Sequence, residues 1–268
     1  MISEVLSRRG WLPKRLVEGH TSHLYRNGRR PSHLVMLLGL VVSLAPHSTH
    51  SQGAPNNVDL ALVLAIDTSG SVSPSRYKLQ VKGYAEAFAS HELINAIRSA
   101  SSRAIAVTLV EWSGARQQEQ VVDWTLIHDE ASSRAFSASL GKNSRSYFGR
   151  TSISAAIDFC AALITHSPFQ GARKVIDVSG DGSSNDGRPV VSARDDAVAA
   201  DLTVNGLPIL ADAATLGDYY RSFVVGGSDS FVIEAADYSH FSEAILKKLV
   251  REIARDRDGD EVAALDTR

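Results

Sequence analysis

Short apolar runs alternate with segments of helical periodicity between residues 58 and 254. The apolar runs are nearly continuous, which is typical of strands that are buried on both faces of a parallel sheet. They predict four strands, the third of them at an edge of the sheet: 58–66, 103–112, 119–127 and 174–179.

Apolar residues that recur every three or four positions predict helices between these strands. Ser73 and Pro74 are typical of an N-cap and a first helical position. Further helices are expected at 129–141, 151–164, 189–201 and 238–254. Strands that alternate with helices predict one doubly wound, Rossmann-like α/β domain, with a mostly parallel sheet flanked by helices.

Two later segments are less regular. Residues 202–210 are strand-like but interrupted, and the Asn205-Gly206 pair within them is typical of a tight hairpin turn. Residues 230–234 predict one further short strand.

The first 51 residues differ from the rest, because they carry seven basic and two acidic residues and a twelve-residue apolar core at 34–45. That core is shorter than the roughly 20 residues of a membrane-spanning helix. We therefore predict a signal peptide or basic leader (1–51) and a linker (52–57). The protein is expected to be exported, periplasmic or extracellular, with no stable transmembrane segment after cleavage. An uncleaved membrane anchor and a core helix are the alternatives.

After the leader, the chain holds 21 basic and 28 acidic residues. An acidic protein is a poor ligand for nucleic acid, which attracts clustered Lys and Arg, so no nucleic-acid partner is expected.

The predicted domain spans 58–254, and a charged tail at 255–268 is expected to be disordered. The single cysteine, Cys160, is expected to be a small buried hydrophobe.

Oxygen-bearing side chains follow two of the predicted strands. Asp67, Ser69 and Ser71 follow the first strand, Asp181 follows the fourth, and Thr151 stands at a predicted helix start. Because the carboxyl ends of parallel strands meet at one edge of a sheet, these side chains are expected to lie together. Carboxylates and hydroxyls suit a hard divalent cation. The alternative is that the hydroxyls cap helices and Asp181 makes a turn.

This pattern resembles the metal-ion-dependent adhesion site of von Willebrand factor A domains. The resemblance covers residues 57–254, and the segments 178–185 and 204–209 are similar to an uncharacterised bacterial group of exported A-domain proteins. It implies that the five side chains hold Mg²⁺ (or Mn²⁺), which coordinates a Glu or Asp of an unknown protein partner. Gly180 departs from the family pattern, in which Thr or another residue often precedes the aspartate.

Three loops, 67–73, 143–151 and 181–188, would form the rim of such a site. Loops on a rigid scaffold often carry function, so the second loop is expected to contact the partner. The candidate residues are Ser144, Arg145, Tyr147, Phe148 and Arg150. A simple polar loop is the alternative.

The predicted function is therefore an exported, metal-dependent, adhesion-type protein-binding module. A metal-free A-like scaffold subunit of an envelope complex would share the fold, and metal titration would distinguish the two. A hydrolase is the remaining alternative. The chain has neither a Gly-x-Ser-x-Gly motif nor the glycine-rich phosphate-binding fingerprints, so no enzymatic activity is expected.

Overall fold

The computed structural model describes residues 57–142 and 145–254, and it contains one sheet of strand order β3-β2-β1-β4-β5. The strands are β1 (Asn57–Asp67), β2 (Ile105–Trp112), β3 (Gln118–Ile127), β4 (Gln170–Gly180) and β5 (Thr203–Pro208). Of these five, β3 is antiparallel to its neighbour and lies at an edge, and the other pairs are parallel. The predicted doubly wound, mostly parallel α/β sheet is confirmed.

Helices flank this sheet throughout the described residues. They are α1 (Pro74–Ala89), α2 (His91–Ser99), α3 (Glu130–Ser139), α4 (Ile153–Thr165), α5 (Val190–Ala199), α6 (Leu216–Tyr219) and α7 (Phe241–Ala254). A π-helical turn, Tyr220–Val224, follows α6, and a 3₁₀ turn, Tyr238–His240, precedes α7. Within residues 57–142 and 145–254, no helix combines the length and the apolar character needed to cross a membrane.

The core lies on both faces of the sheet, which explains why β1 is continuously apolar. Leu62 and Leu64 pack on the face covered by α1, α2, α3 and α7. Val63 and Ala65 pack on the opposite face, against α4 and α5. Burial on both faces fixes the register of β1, and with it the position of the residues that follow the strand.

The strand order reverses beside β1, because β2 pairs with one of its edges and β4 with the other. Ile66 is paired with Ser179, so the carboxyl ends of β1 and β4 are neighbours. Open α/β sheets bind ligands in the crevice at such a switch point. The fold therefore brings Asp67 and Asp181 to the same place.

The Asn205-Gly206 pair does not form a hairpin turn, and that prediction was wrong. Both residues lie inside β5, paired in parallel with β4. Asn205 is held by buried hydrogen bonds, since its Oδ1 accepts from the Phe231 amide at 2.8 Å and its Nδ2 donates to Glu252. Tertiary contacts thus override the turn preference of the dipeptide.

Other differences from the sequence prediction are smaller. Segment 230–234 is not a strand, and Val232 makes only an isolated parallel bridge with Gly206. Helix α2 and the α6–π-helical segment were not predicted. The leader (1–51), the tail (255–268) and the linker up to residue 56 lie outside the described residues.

Candidate metal centre

Asp67 ends β1 and is completely buried. Its Oδ1 accepts a hydrogen bond from the Ser69 amide at 2.6 Å. Its Oδ2 is also buried and has no hydrogen-bond partner among the described residues. Burial is the main reason that the pKa of Asp67 is raised to about 7, and the negative charge of Asp181 adds to the effect. A buried carboxylate oxygen without a donor is costly, so this atom is suited to a cation or a further donor.

A chain of oxygen contacts extends from the loop of residues 67–73, called the first ligand loop, to Asp181. The Ser69 Oγ lies 3.1 Å from the Ser71 Oγ, and the Ser71 Oγ donates to Asp181 Oδ1 at 2.6 Å. Ser69 and Asp181 are buried, whereas Ser71 is exposed. Direct contacts therefore join four of the five predicted ligands at the crevice between β1 and β4.

Thr151, the fifth predicted ligand, is buried and lies on a loop that contacts the first ligand loop. The contact is a hydrogen bond from the Gly70 amide to the Gly149 carbonyl at 2.8 Å. The Thr151 amide donates to Asn185 Oδ1 at 3.0 Å, and its carbonyl accepts from the amides of Asn185 and Asp186. Backbone contacts thus tie Thr151 to the loops of the other four residues.

Asp181 has two further partners that were not predicted from the sequence. The Tyr238 hydroxyl donates to its Oδ2 at 2.9 Å, and Arg76 Nη1 lies 3.4 Å from the same atom. Arg76 also pairs with Asp212, and its guanidinium lies 5.1 Å from the centre of the Tyr238 ring. These residues are far apart along the chain, so no local pattern could have connected them with the site.

Of the predicted rim residues, Arg145 supports the site from within. Its half-buried guanidinium donates to the main-chain carbonyls of Thr68, Ser69 and Val72. Burial lowers the pKa of Arg145, and the nearby Asp67 carboxylate opposes that shift. These bonds hold the first ligand loop in one conformation.

Phe148 stands out at the rim because 69% of its surface is exposed. The Arg145 guanidinium lies 4.7 Å from the centre of its ring, which restrains the ring at the surface. Tyr147 is half-buried, and Arg150 is exposed and donates to the Asn185 carbonyl. Ser144 lies outside the described residues.

The donor set of three hydroxyls and two carboxylates fits a hard divalent cation. Asp67 Oδ2 is buried and has no hydrogen-bond partner among the described residues, so its environment favours a bound cation. In residues 57–142 and 145–254, no group of three or more His, Cys, Asp or Glu side chains is arranged to hold a metal. The candidate centre therefore depends on its hydroxyl groups as well as its two carboxylates.

The strand order and the flanking helices define a von Willebrand factor A-like α/β fold. The chain belongs to the DUF1194 family, described as a protein of unknown function, because the family model matches residues 57–257. A comparison with curated proteins finds no match.

Three solved structures illustrate the fold. Proximal thread matrix protein 1 from the mussel byssus is 14% identical, with a TM-score of 0.55 over 72% of this chain and 48% of its own. The pilus adhesin SpaC from Lactobacillus rhamnosus GG is 13% identical, with a TM-score of 0.53 over 74% of this chain and 31% of its own. A von Willebrand factor type A protein from Catenulispora acidiphila is 17% identical, with a TM-score of 0.50 over 74% and 43%. This chain thus matches less than half of each of them, and the likeness concerns the fold.

Proposed function

We propose that this protein is an exported, divalent-cation-dependent protein-binding module of the adhesion type. The observation that carries the proposal is the buried, unpaired Asp67 Oδ2 at the switch point of the sheet, beside the Ser69–Ser71–Asp181 contacts. Five residues would hold Mg²⁺ or Mn²⁺: Asp67, Ser69, Ser71, Thr151 and Asp181. When bound, the ion would supply an open coordination position for a Glu or Asp side chain of a protein partner.

Two of the comparisons support this proposal. SpaC is a pilus adhesin, and the mussel thread protein has also been solved with a zinc-occupied adhesion-site motif. Export is supported by the basic leader and the short apolar core of the sequence.

The partner would dock on the rim around the ion, with Phe148 as its principal apolar contact. An exposed aromatic ring that is already restrained loses little entropy on binding, and aromatic residues commonly dominate binding energy. Arg150, also exposed, would contact acidic groups that surround the coordinating carboxylate. Arg145 would contribute indirectly, by holding both Phe148 and the first ligand loop.

One observation favours a second candidate, a metal-free scaffold subunit of an envelope complex. Arg76 Nη1 lies 3.4 Å from Asp181 Oδ2, so a cationic side chain of the protein already offsets part of the charge of the site. In that function Arg76 would do permanently what a metal ion does in the first proposal, and the rim would bind its partner without an ion.

Titration of the purified protein with Mg²⁺, Mn²⁺ and Ca²⁺, followed by calorimetry and thermal melting, separates these candidates. An ion that binds only the folded state raises the free energy of unfolding by about 2.7 kcal/mol at a hundredfold excess over its Kd. We expect this response in the parent and not in Asp67→Ala. Asp123→Ala, which removes an exposed carboxylate on the edge strand, is the matched control and should respond like the parent.

A parent protein that responds to none of the three ions would refute metal dependence and favour the scaffold. If the parent does respond, capture of envelope proteins is compared in Mg²⁺ and in chelator. Phe148→Ser should then keep the metal response and lose the captured partner. We propose no catalytic role, and turnover of a generic phosphoester that is lost in Asp67→Ala would contradict that part of the proposal.

A further inference from the structure

Tyr220 opens the π-helical turn that follows α6, and its side chain is completely buried. Its hydroxyl has no hydrogen-bond partner in the described part of the chain. Buried hydroxyl groups are nearly always paired, because an unpaired one loses its hydration without compensation. The position of this hydroxyl therefore requires an explanation.

The hydroxyl faces the candidate metal centre. A Cβ atom added to Gly180 would stand 2.9 Å from the Tyr220 hydroxyl and 2.9 Å from Asp67 Oδ2. Two buried oxygens that lack partners thus approach one point beside Gly180, and both can do so because residue 180 has no side chain. One of them is a carboxylate oxygen and the other is a hydroxyl that can donate a proton.

A second glycine makes room for the tyrosine ring. A Cβ atom on Gly206, in the neighbouring strand β5, would stand 2.6 Å from Cδ1 of Tyr220. Because Gly180 and Gly206 have no side chains, β4 and β5 leave room for the side chain of Tyr220. The π-helical turn positions the backbone of Tyr220. It is closed by a hydrogen bond from the Val225 amide to the Tyr220 carbonyl at 3.0 Å.

The other buried tyrosines near the centre have partners. The Tyr238 hydroxyl donates to Asp181, and the Tyr84 hydroxyl lies 3.3 Å from the Ser179 Oγ. Burial, together with the charges of Asp67 and Asp181, raises the pKa of Tyr220, so its hydroxyl keeps its proton and remains a donor.

We propose that Tyr220 is a positioning residue of the metal centre. In the structure both atoms lack a hydrogen-bond partner among the described residues. When a divalent cation is bound, the Tyr220 hydroxyl would donate a hydrogen bond to Asp67 Oδ2 and hold the carboxylate in the orientation that ion binding requires. The inference rests on the proposed metal-dependent function. It also gives a reason for glycine at position 180, since a side chain there would separate the two oxygens.

The test compares Tyr220→Phe with the parent by Mg²⁺ and Mn²⁺ calorimetry and by thermal melting without metal. Loss of a group that orients a metal ligand typically weakens metal binding about 10- to 100-fold, and we expect a loss in that range. The melting temperature without metal should stay the same or rise, because the substitution removes an unpaired buried hydroxyl. Tyr84→Phe is the matched control, and it should lower the melting temperature and leave the affinity unchanged.

Three outcomes would overturn the proposal. If the parent binds metal and Tyr220→Phe binds it equally well, the positioning role is wrong and the proposed function stands. If Tyr220→Phe lowers the metal-free melting temperature as well as the metal affinity, the hydroxyl has a structural role. If the parent binds no metal, both proposals fail. Gly180→Ala is an independent check, because its methyl group should weaken metal binding in a protein that still folds, and unchanged affinity would count against the proposal.

Discussion

Lys248 and Asp177 form an ion pair that is almost completely enclosed, and breaking it should cost more stability than any exposed pair. Their side chains are 0% and 2% exposed, and the Lys248 Nζ lies 5.1 Å from the centre of the Phe231 ring. Asp177 Oδ2 has no other partner among the described residues. Lys248→Met keeps most of the side-chain volume but leaves the Asp177 carboxylate buried without its counter-charge.

Removing one member of a buried pair typically costs about 3–5 kcal/mol. Each kcal/mol shifts the melting temperature of a domain of this size by about 2–4 °C, so a fall of about 10 °C is expected. Urea denaturation, followed by circular dichroism at constant pH, measures the free energy of unfolding, and an unchanged m-value shows that the transitions are comparable. Lys82→Met removes an exposed pair with Glu86 and should change the stability by less than about 0.5 kcal/mol.

The double variant Lys248→Met/Asp177→Val separates charge from packing. If the cost of the single variant comes from an unpaired buried charge, removal of the second charge should restore most of the stability, because apolar replacements of buried pairs are often neutral. A double variant as unstable as Lys248→Met would show that packing sets the cost. A single variant as stable as the parent would refute the reasoning altogether.

Three further predictions concern single residues. The pKa of Asp67 is raised from 3.8 to about 7, so without metal the folded state holds this proton more tightly than the unfolded chain. The free energy of unfolding should therefore fall as pH rises from about 4 to about 7, by up to about 1.4 kcal/mol per pH unit, and urea titrations should show a shallower decline for Asp67→Asn. Cys160 is completely buried and burial raises its pKa, so a thiol reagent should label it only in denaturant, and labelling of the native protein would contradict its placement. In Gly83→Ala, the added Cβ would stand 2.6 Å from the Phe241 ring, so this variant should lose about 1–3 kcal/mol in urea denaturation, and a gain in stability would show that helix propensity outweighs the contact.

The fold was largely predictable because buried parallel strands have a strong signature. The run that forms β1 is apolar on both faces, and Ser73 with Pro74 begins α1 as the N-cap and first helical residue. The Asn205-Gly206 prediction failed because a dipeptide preference is weak beside the buried hydrogen bonds of Asn205. The four residues of α6 carry too little periodicity to be recognised.

For the candidate site, the sequence predicted five candidate ligand residues, and their role as ligands stays a prediction. It did not indicate Arg76 and Tyr238, which contact Asp181. Asp67, Ser69 and Ser71 are recognisable because they follow a strand at fixed spacing. Arg76 and Tyr238 approach Asp181 only through the tertiary fold, so their role follows from the structure. The absence of a side chain at Gly180 has a meaning only when the surrounding atoms are known.

Helix α7 is tied to β4 and β5 at several points, and this arrangement predicts how the helix will respond to metal. Just before α7, Tyr238 donates to Asp181; within it, Lys248 pairs with Asp177, and Glu252 accepts from Asn205. Displacement of the whole helix would break the buried Lys248 pair, which is costly. Between residues 238 and 254, in contrast, the contact of Asp181 is with Tyr238 in the 3₁₀ turn, so a change at Asp181 affects that turn first.

We therefore expect metal binding to change amide hydrogen exchange at residues 238–241 and to leave the rest of α7 strongly protected. Native-state exchange measured with and without saturating Mg²⁺ tests this, since buried segments exchange only through costly opening. The Lys248→Met variant serves as the comparison, because exchange should there become faster throughout α7, with or without metal. Metal-induced loss of protection around Lys248 in the parent would show that the buried pair does not hold the helix in place.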